Sequence, residues 1–286
     1  MREFKIFLVL VFFTALMYIG VEPIAHSVMH KKAATPDFEF SDLPDIDMSV
    51  GDFVAGKELV MQNCTACHSI ASQNINAPMG AMDSAKVYGV TPPDLSNVAK
   101  LYSDKYLVAF IKNPANASAL NHIYDSGKKA HPMPPYSWMA EKQIVDMVAY
   151  LDSIKPSTIT PREAFVSACS RCHEMKYDNV LGQVDKVASK KYLGSAPPDL
   201  SMYQRSRGEE YINSFLNQPQ VMLAGTSMPR VGLTEESQEQ ILSYLVSVSD
   251  PKRAERESMG VYFILYFLLM GLLAYLWKRK IWSEVK

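Results

Sequence analysis

Apolar residues fall along this chain in two long blocks at its ends and in short periodic groups between them. The first block, Ile6 to Val21, is sixteen residues without a charge, preceded by Met1-Arg2-Glu3-Phe4-Lys5. A membrane helix takes about 17 to 25 apolar residues, so this block sits on the border between a short span and the core of a signal peptide. The residues that follow, Glu22-Pro23-Ile24-Ala25-His26-Ser27, match a cleavage site poorly, and a retained anchor over residues 1–24 is the expectation. The second block, Met259 to Trp277, has 19 residues without a charge and ends in Lys278-Arg279-Lys280-Ile281-Trp282. It predicts a transmembrane helix with its basic, aromatic end at the cytoplasmic face. Arg2 and Lys5 favour the same side for the N-terminus, although Lys252, Arg253 and Arg256 on the other flank keep the charge bias modest.

Between the blocks the pattern is helical, and it occurs twice. Ile144, Met147, Val148 and Leu151 recur at i, i+3, i+4 spacing, as do Ile241, Leu242 and Leu245. Earlier helices are predicted over Gly56–Asn63 and Pro161–Ala168, the second opened by Thr160, Pro161 and Glu163 in a capping-box pattern. Middle helices follow over Ser103–Lys112 and Gly208–Leu216, each closed by a downstream proline. The two sets stand in register. Cys64 and Cys169 are 105 residues apart, and so are Pro92-Pro93-Asp94-Leu95-Ser96 and Pro197-Pro198-Asp199-Leu200-Ser201, and Tyr106, Phe110 and Pro114 against Tyr211, Phe215 and Pro219. After that the offset shrinks to 95 at Met133-Pro134 and Met228-Pro229, because the second copy lacks the polar stretch Asn121 to Lys129, which reads as a loop. No strand pattern appears. The expected architecture is all-α: a membrane anchor or signal (1–24), an extended tether (25–50), two tandem domains (51–155 and 156–250), and a C-terminal transmembrane helix with a short tail (251–286).

Composition adds little. A net charge of -1 gives no basic character to suggest nucleic acid as a partner. The hydrophobic share of 48% is ordinary and conceals the uneven distribution just described.

The four cysteines change the picture, because all of them lie in two CxxCH motifs, Cys64-Thr65-Ala66-Cys67-His68 and Cys169-Ser170-Arg171-Cys172-His173. Two thioether bonds fix a haem edge to a helix, and the adjacent histidine then reaches the iron, which is why the motif needs its order as well as its residues. A zinc site would leave both histidines unexplained, and a redox dithiol wants a βαβ setting that is absent. Two covalent haem c groups are therefore expected, held by Cys64, Cys67, Cys169 and Cys172, with His68 and His173 as axial ligands. Because such attachment takes place outside the bacterial cytoplasm, the domains are expected in the periplasm and both termini in the cytoplasm of an inner-membrane protein.

Methionine as the second axial ligand would close the iron and raise its potential, which suits electron transfer. Met133 and Met228 align in the repeat, each precedes a proline, and each lies ahead of the last helix of its copy, so they are the expected ligands. His131 is the rival in the first copy and Met222 in the second, while His26, His30 and His122 are expected to be exposed and incidental. Pro93 and Pro198 are expected to offer a carbonyl to the second imidazole nitrogen. Tyr106 and Tyr211 are expected to pack.

Each copy resembles the class I cytochrome c fold, over about residues 50–155 and 157–250. The second copy, with Ala196-Pro197-Pro198-Asp199-Leu200-Ser201 and then Arg205, Gly208 and Tyr211, is similar to the cytochrome c1 subunit of the quinol:cytochrome c oxidoreductase, the cytochrome bc complex. That family also ends in one membrane helix with a short basic, Trp-containing tail, as Lys278-Arg279-Lys280-Ile281-Trp282-Ser283-Glu284-Val285 does. The second haem domain departs from the ordinary member and matches a diheme variant found in some bacterial complexes. The resemblance implies cytochrome b and a Rieske iron-sulfur protein as partners, and a terminal oxidase or soluble cytochrome c as electron acceptor. It implies an electron-transfer subunit that is not catalytic by itself, with the second haem as Rieske acceptor and the first as exit. The competing readings are the diheme subunit of a cbb-type haem-copper oxidase, which usually lacks the C-terminal helix, and a diheme peroxidase, against which the paired methionines argue.

Overall fold

The computed structural model describes residues 2–29, 33–124, 129–184 and 186–284, without the side chains of Arg2 and Met29. Within them the only extended pairings are isolated bridges, and the fold is all-α. His30 and Val285 lie outside the described residues.

The chain enters through α1 (Arg2–Ala15), a π-helical turn (Leu16–Val21) and α2 (Glu22–Met29). Together they give an apolar helix over Glu3–Val28, 26 residues, about 39 Å at 1.5 Å per residue. That exceeds the roughly 30 Å of a bilayer core, so the helical stretch outruns the sixteen-residue apolar block on which the sequence reading rested.

Residues 33–50 do not hang as a loose tether below the first copy. They run as a strap over both. Phe40 and Leu43 are buried in the core, and the Asp37 amide donates to Asn217 Oδ1 at 2.8 Å while Ser214 Oγ donates to the Ala34 carbonyl at 2.5 Å. The sequence pattern missed this because a few apolar residues in an Asp- and Pro-rich stretch show no period, and their burial depends on what lies underneath.

The first copy comprises α3 (Phe53–Asn63), α4 (Ala81–Tyr88), α5 (Val98–Leu101), α6 (Asp104–Lys112), α7 (Pro114–Ala117), α8 (Asn121–Tyr124) and α9 (Glu141–Ser153). The second comprises α10 (Pro161–Ala168), α11 (Lys186–Leu193), α12 (Tyr203–Arg207), α13 (Glu209–Asn217), α14 (Pro219–Met222) and α15 (Glu235–Ser249). α3 begins three residues ahead of its predicted start because Asp52 caps it, its carboxylate accepting from the amides of Val54 and Ala55. The capping box predicted at Thr160 and Glu163 is present. Ser103 and Gly208 turn out to be N-caps, so α6 and α13 each start one residue later than predicted. Part of the stretch predicted as a loop after residue 120 is the short helix α8.

In each copy the first and last helices pack across one another. α3 crosses α9 at Gly56, where a Cβ would stand 1.8 Å from the Asp146 carbonyl oxygen, so the two backbones approach as closely as only glycine allows. Val60, Ile144, Met147, Val148 and Leu151 close the core around this crossing, each fully buried side chain contributing about 1.5–3 kcal/mol. α10 crosses α15 without a glycine. Phe165 fills that contact, its ring centroid 5.1 Å from Tyr244.

The copies are joined along one face. Tyr102 and Leu233 form a β-bridge, with the Ser103 amide donating to the Gly232 carbonyl at 3.0 Å and the Thr234 amide to the Leu101 carbonyl at 2.9 Å. Arg230 reaches across, its Nε donating to the Ala117 carbonyl at 2.9 Å and a terminal nitrogen pairing with Asp42 of the strap at 2.6 Å. Beyond α15, α16 (Arg253–Glu284) is the second helix long and apolar enough to cross a membrane. Lys278 of α16 pairs with Glu3 of α1 at 2.5 Å, which sets the two chain ends side by side.

Gly56→Ala is expected to destabilise the protein by about 3 kcal/mol or more, because the added methyl cannot avoid the Asp146 carbonyl. Gly80→Ala, with nothing within 4 Å of the new Cβ, is expected to change stability by less than about 0.5 kcal/mol. Guanidinium unfolding midpoints of the two variants check the contrast.

Candidate haem sites

Each site is built at the C-terminus of the first helix of its copy. Cys64 and Cys169 are the C-caps of α3 and α10, with φ of -110° and -111° and the same ψ of -35°. The chain then closes a tight turn in which the amide of His68 donates to the Cys64 carbonyl, and that of His173 to the Cys169 carbonyl, both at 2.9 Å. This turn places both cysteines and the histidine of each motif within one short loop. None of the four cysteines is in a disulfide.

Each imidazole is then fixed from behind. Nδ1 of His68 lies 2.8 Å from the Pro93 carbonyl, and Nδ1 of His173 lies 2.8 Å from the Pro198 carbonyl. A carbonyl can only accept, so Nδ1 carries the proton in both rings. Nε2 is left bare, as an iron ligand must be. Burial pushes both imidazoles below the ordinary histidine range, against the opposing pull of these hydrogen bonds. The rings are therefore held neutral.

The proline turn is itself tied to the loop after the histidine by matching bonds. Asp94 accepts from the Ser96 amide at 2.8 Å and the Ala71 amide at 3.0 Å, while Ser96 Oγ accepts from the Ser72 amide at 3.0 Å. In the second copy Asp199 accepts from the amides of Ser201 and Lys176, and Ser201 Oγ from that of Tyr177 at 3.1 Å. The Leu95 amide donates to the Ser69 carbonyl at 2.8 Å, and the Leu200 amide to the Glu174 carbonyl at 2.9 Å. Even the left-handed residue recurs, as Asn74 at φ 57° and Asn179 at φ 55°. The sequence reading placed Pro93-Asp94-Leu95 and Pro198-Asp199-Leu200 on the proximal side of the histidines but did not foresee the bonds that the aspartates and serines make. The signal was the repeat of all five residues at one offset.

Met133 and Met228 are half-buried and pack against the core, each in the loop ahead of the last helix. The rival side chains make contacts of their own. Nδ1 of His131 faces its own loop, 3.1 Å from the Met133 amide nitrogen, and the ring edge meets Tyr124 at 4.8 Å. The sulfur of Met222 accepts the Ala34 amide of the strap at 3.5 Å. Tyr106 packs at the junction of the copies and donates to the Arg230 carbonyl at 2.7 Å, and Tyr211 stacks on Phe215 at 5.7 Å. His26 and His122 are exposed.

The alternatives for the cysteines fit poorly. Burial pushes the Cys64 and Cys169 thiols up to about 12, whereas a reactive dithiol wants a depressed value. Among the described residues no group of three or more His, Cys, Asp or Glu side chains converges as a metal-ion site. Paired thiols beside a neutral imidazole with Nε2 free fit the edge and iron of a haem.

The copies differ in exposure. Cys67 is exposed and Cys64 half-buried, whereas Cys169 and His173 are buried, at 7% and 8% exposure. The first motif faces outward, and the second is covered.

Comparison with known proteins finds a family match over the first copy. The cytochrome c family model matches residues 53–155. A cytochrome c of Tetrahymena pyriformis is 26% identical over 115 residues, 39% of this chain and 96% of that protein. Among solved structures, a chain of a hyperthermophilic respiratory Complex III is 28% identical and covers 44% of this chain and 75% of its own, with a TM-score of 0.35. Residues 53–155 are thus a cytochrome c domain, a type of domain that carries covalently bound haem c.

Asp94→Ala removes two hydrogen bonds to a carboxylate that hold the Pro93 turn, and is expected to cost about 1–3 kcal/mol. Asp83→Ala breaks only an exposed pair with Lys86, expected to be worth less than about 0.5 kcal/mol. Thermal midpoints of the two variants, followed by far-ultraviolet circular dichroism, check the difference.

Proposed function

We propose that this chain is a membrane-anchored diheme cytochrome c that relays electrons within a respiratory quinol:cytochrome c oxidoreductase, from a Rieske iron-sulfur protein to a terminal oxidase or soluble cytochrome c. The observation that carries the reading is the duplicated histidine clamp, with Nδ1 of His68 and of His173 each 2.8 Å from a proline carbonyl at the same place in the repeat. In this reading Cys64, Cys67, His68 and Met133 hold one haem, and Cys169, Cys172, His173 and Met228 hold the other. When bound, each haem supplies a one-electron iron couple. The chain's own residues would fix the ring tautomer and offer a thioether sulfur as the second ligand.

The domains divide as residues 51–155 and 156–250, with anchors before and after. The Glu3–Lys278 pair supports one side of the membrane for both termini, and the basic tail favours the cytoplasm for that side. The haem domains then lie in the periplasm of a bacterial inner membrane. The outward-facing first motif supports the first haem as the exit and the second as the Rieske acceptor. The long α16 (Arg253–Glu284) favours this assignment over the diheme subunit of a cbb-type oxidase.

Purification from native membranes through a tag on this chain tests the assignment. Cytochrome b and a Rieske protein are expected in the same complex, and recovery with haem-copper oxidase subunits in their place would overturn it. Within the complex, Met228→Ala is expected to slow Rieske-to-haem transfer on the millisecond scale, whereas slowing of downstream delivery alone would reverse the order of the two haems.

A further inference from the structure

The methionine loops of the two copies are anchored differently. Past Met133 the loop is held by its own copy: the Tyr136 hydroxyl donates to the Asn63 carbonyl at 2.8 Å and the Tyr136 amide to the Ile111 carbonyl at 3.1 Å. Asn63 is the last residue of α3 and precedes Cys64, so one side chain ties the methionine loop directly to the first CxxCH motif. The second copy has no counterpart to this tie. Pro229-Arg230-Val231-Gly232-Leu233-Thr234, which runs from Met228 to α15, contains no tyrosine.

That segment is held by the first copy instead. The Arg230 amide donates to the Ser118 carbonyl at 2.9 Å and its Nε to the Ala117 carbonyl at 2.9 Å, while the Tyr106 hydroxyl donates to the Arg230 carbonyl at 2.7 Å. Further on, the Ser103 amide donates to the Gly232 carbonyl at 3.0 Å and the Thr234 amide to the Leu101 carbonyl at 2.9 Å. Gly232 has a φ of 79°, and a Cβ there would stand 2.0 Å from the Tyr106 ring. Left-handed backbone and close approach both call for glycine at this point. Arg230 and Leu233 are buried in the contact. Ahead of Met228 the anchors are the second copy's own, with Ser227 Oγ donating to the Leu193 carbonyl at 2.6 Å and Gln220 to the Thr226 carbonyl at 2.7 Å. Met228 therefore stands between one anchor in its own copy and one in the other.

We propose that the first copy positions the axial methionine of the second. Ser103, Tyr106, Ala117 and Ser118 hold residues 230–234, and through them Met228. The proposal rests on the reading of Met133 and Met228 as iron ligands. Tyr106 and Gly232 are positioning residues that act through the loop. The second ligand set is complete only while the copies are docked, whereas past Met133 the first depends on its own copy.

Spectra of the full-length holoprotein test this. Ferric haem with a methionine ligand has a weak charge-transfer band in the far red, and reduced haem that has lost its methionine binds carbon monoxide. In a Met133→Ala parent the remaining band reports Met228, and in a Met228→Ala parent it reports Met133. Gly232→Ala is expected to abolish the band in the first parent and leave it intact in the second. Tyr106→Phe, which removes one hydroxyl and keeps the ring, is expected to raise the fraction of the second haem that takes up carbon monoxide about tenfold. It also serves should Gly232→Ala fail to accumulate. Tyr136→Phe is expected to do the reverse and weaken only the Met133 band. A Met228 band and carbon monoxide uptake unmoved by Gly232→Ala and Tyr106→Phe overturn the proposal, as does a loss shared equally by the two haems, which a general loosening of the fold would give. The parents separate that failure from failure of the reading beneath it. If either methionine can be replaced without loss of band, the ligand reading falls.

Discussion

An imidazole can bind iron only through a nitrogen that carries no proton, and much of this fold serves to decide which nitrogen that is. The carbonyls of Pro93 and Pro198 accept from Nδ1, which leaves Nε2 bare. Those carbonyls are held by turns that Asp94, Ser96, Asp199 and Ser201 tie to the loops following the histidines. The turns rest in turn on helices whose crossings bury Val60 and Phe165. Loss of any of these layers would free the ring to rotate, and a rotated ring would no longer hold Nε2 bare in its present place.

Duplication preserved this local machinery and changed its surroundings. The histidine clamp, the left-handed asparagine and the seryl acceptor recur at one offset with nearly the same distances. The outer surfaces do not. The first copy exposes Cys67, whereas the second buries Cys169 and His173, and the copies meet at a junction secured by Tyr102, Leu233 and Arg230. Two sites of one design thereby acquire different neighbours.

How much of this the sequence disclosed follows from where the determining contacts lie. The CxxCH motifs and the helix Pro161–Ala168 were legible because their causes lie within a few residues: the spacing of the motif and a capping box. The histidine–proline bond was legible through the repeat. Gly56 was not singled out, since its role depends on the Asp146 carbonyl some ninety positions away in sequence. The strap was read as a tether for the same reason, Phe40 being buried by elements that come later in the chain.

The anchors complete the arrangement, with an apolar helix at each end and Glu3 paired to Lys278. The account stands on there being two haems in one chain, and the number of covalently bound haems per chain tests it most directly. Intact-protein mass and the haemochrome spectrum of the purified protein should give two, falling to one when Cys64 and Cys67 are replaced by alanine and likewise when Cys169 and Cys172 are. A native chain with a single haem, or one whose count survives loss of Cys169 and Cys172, would contradict it.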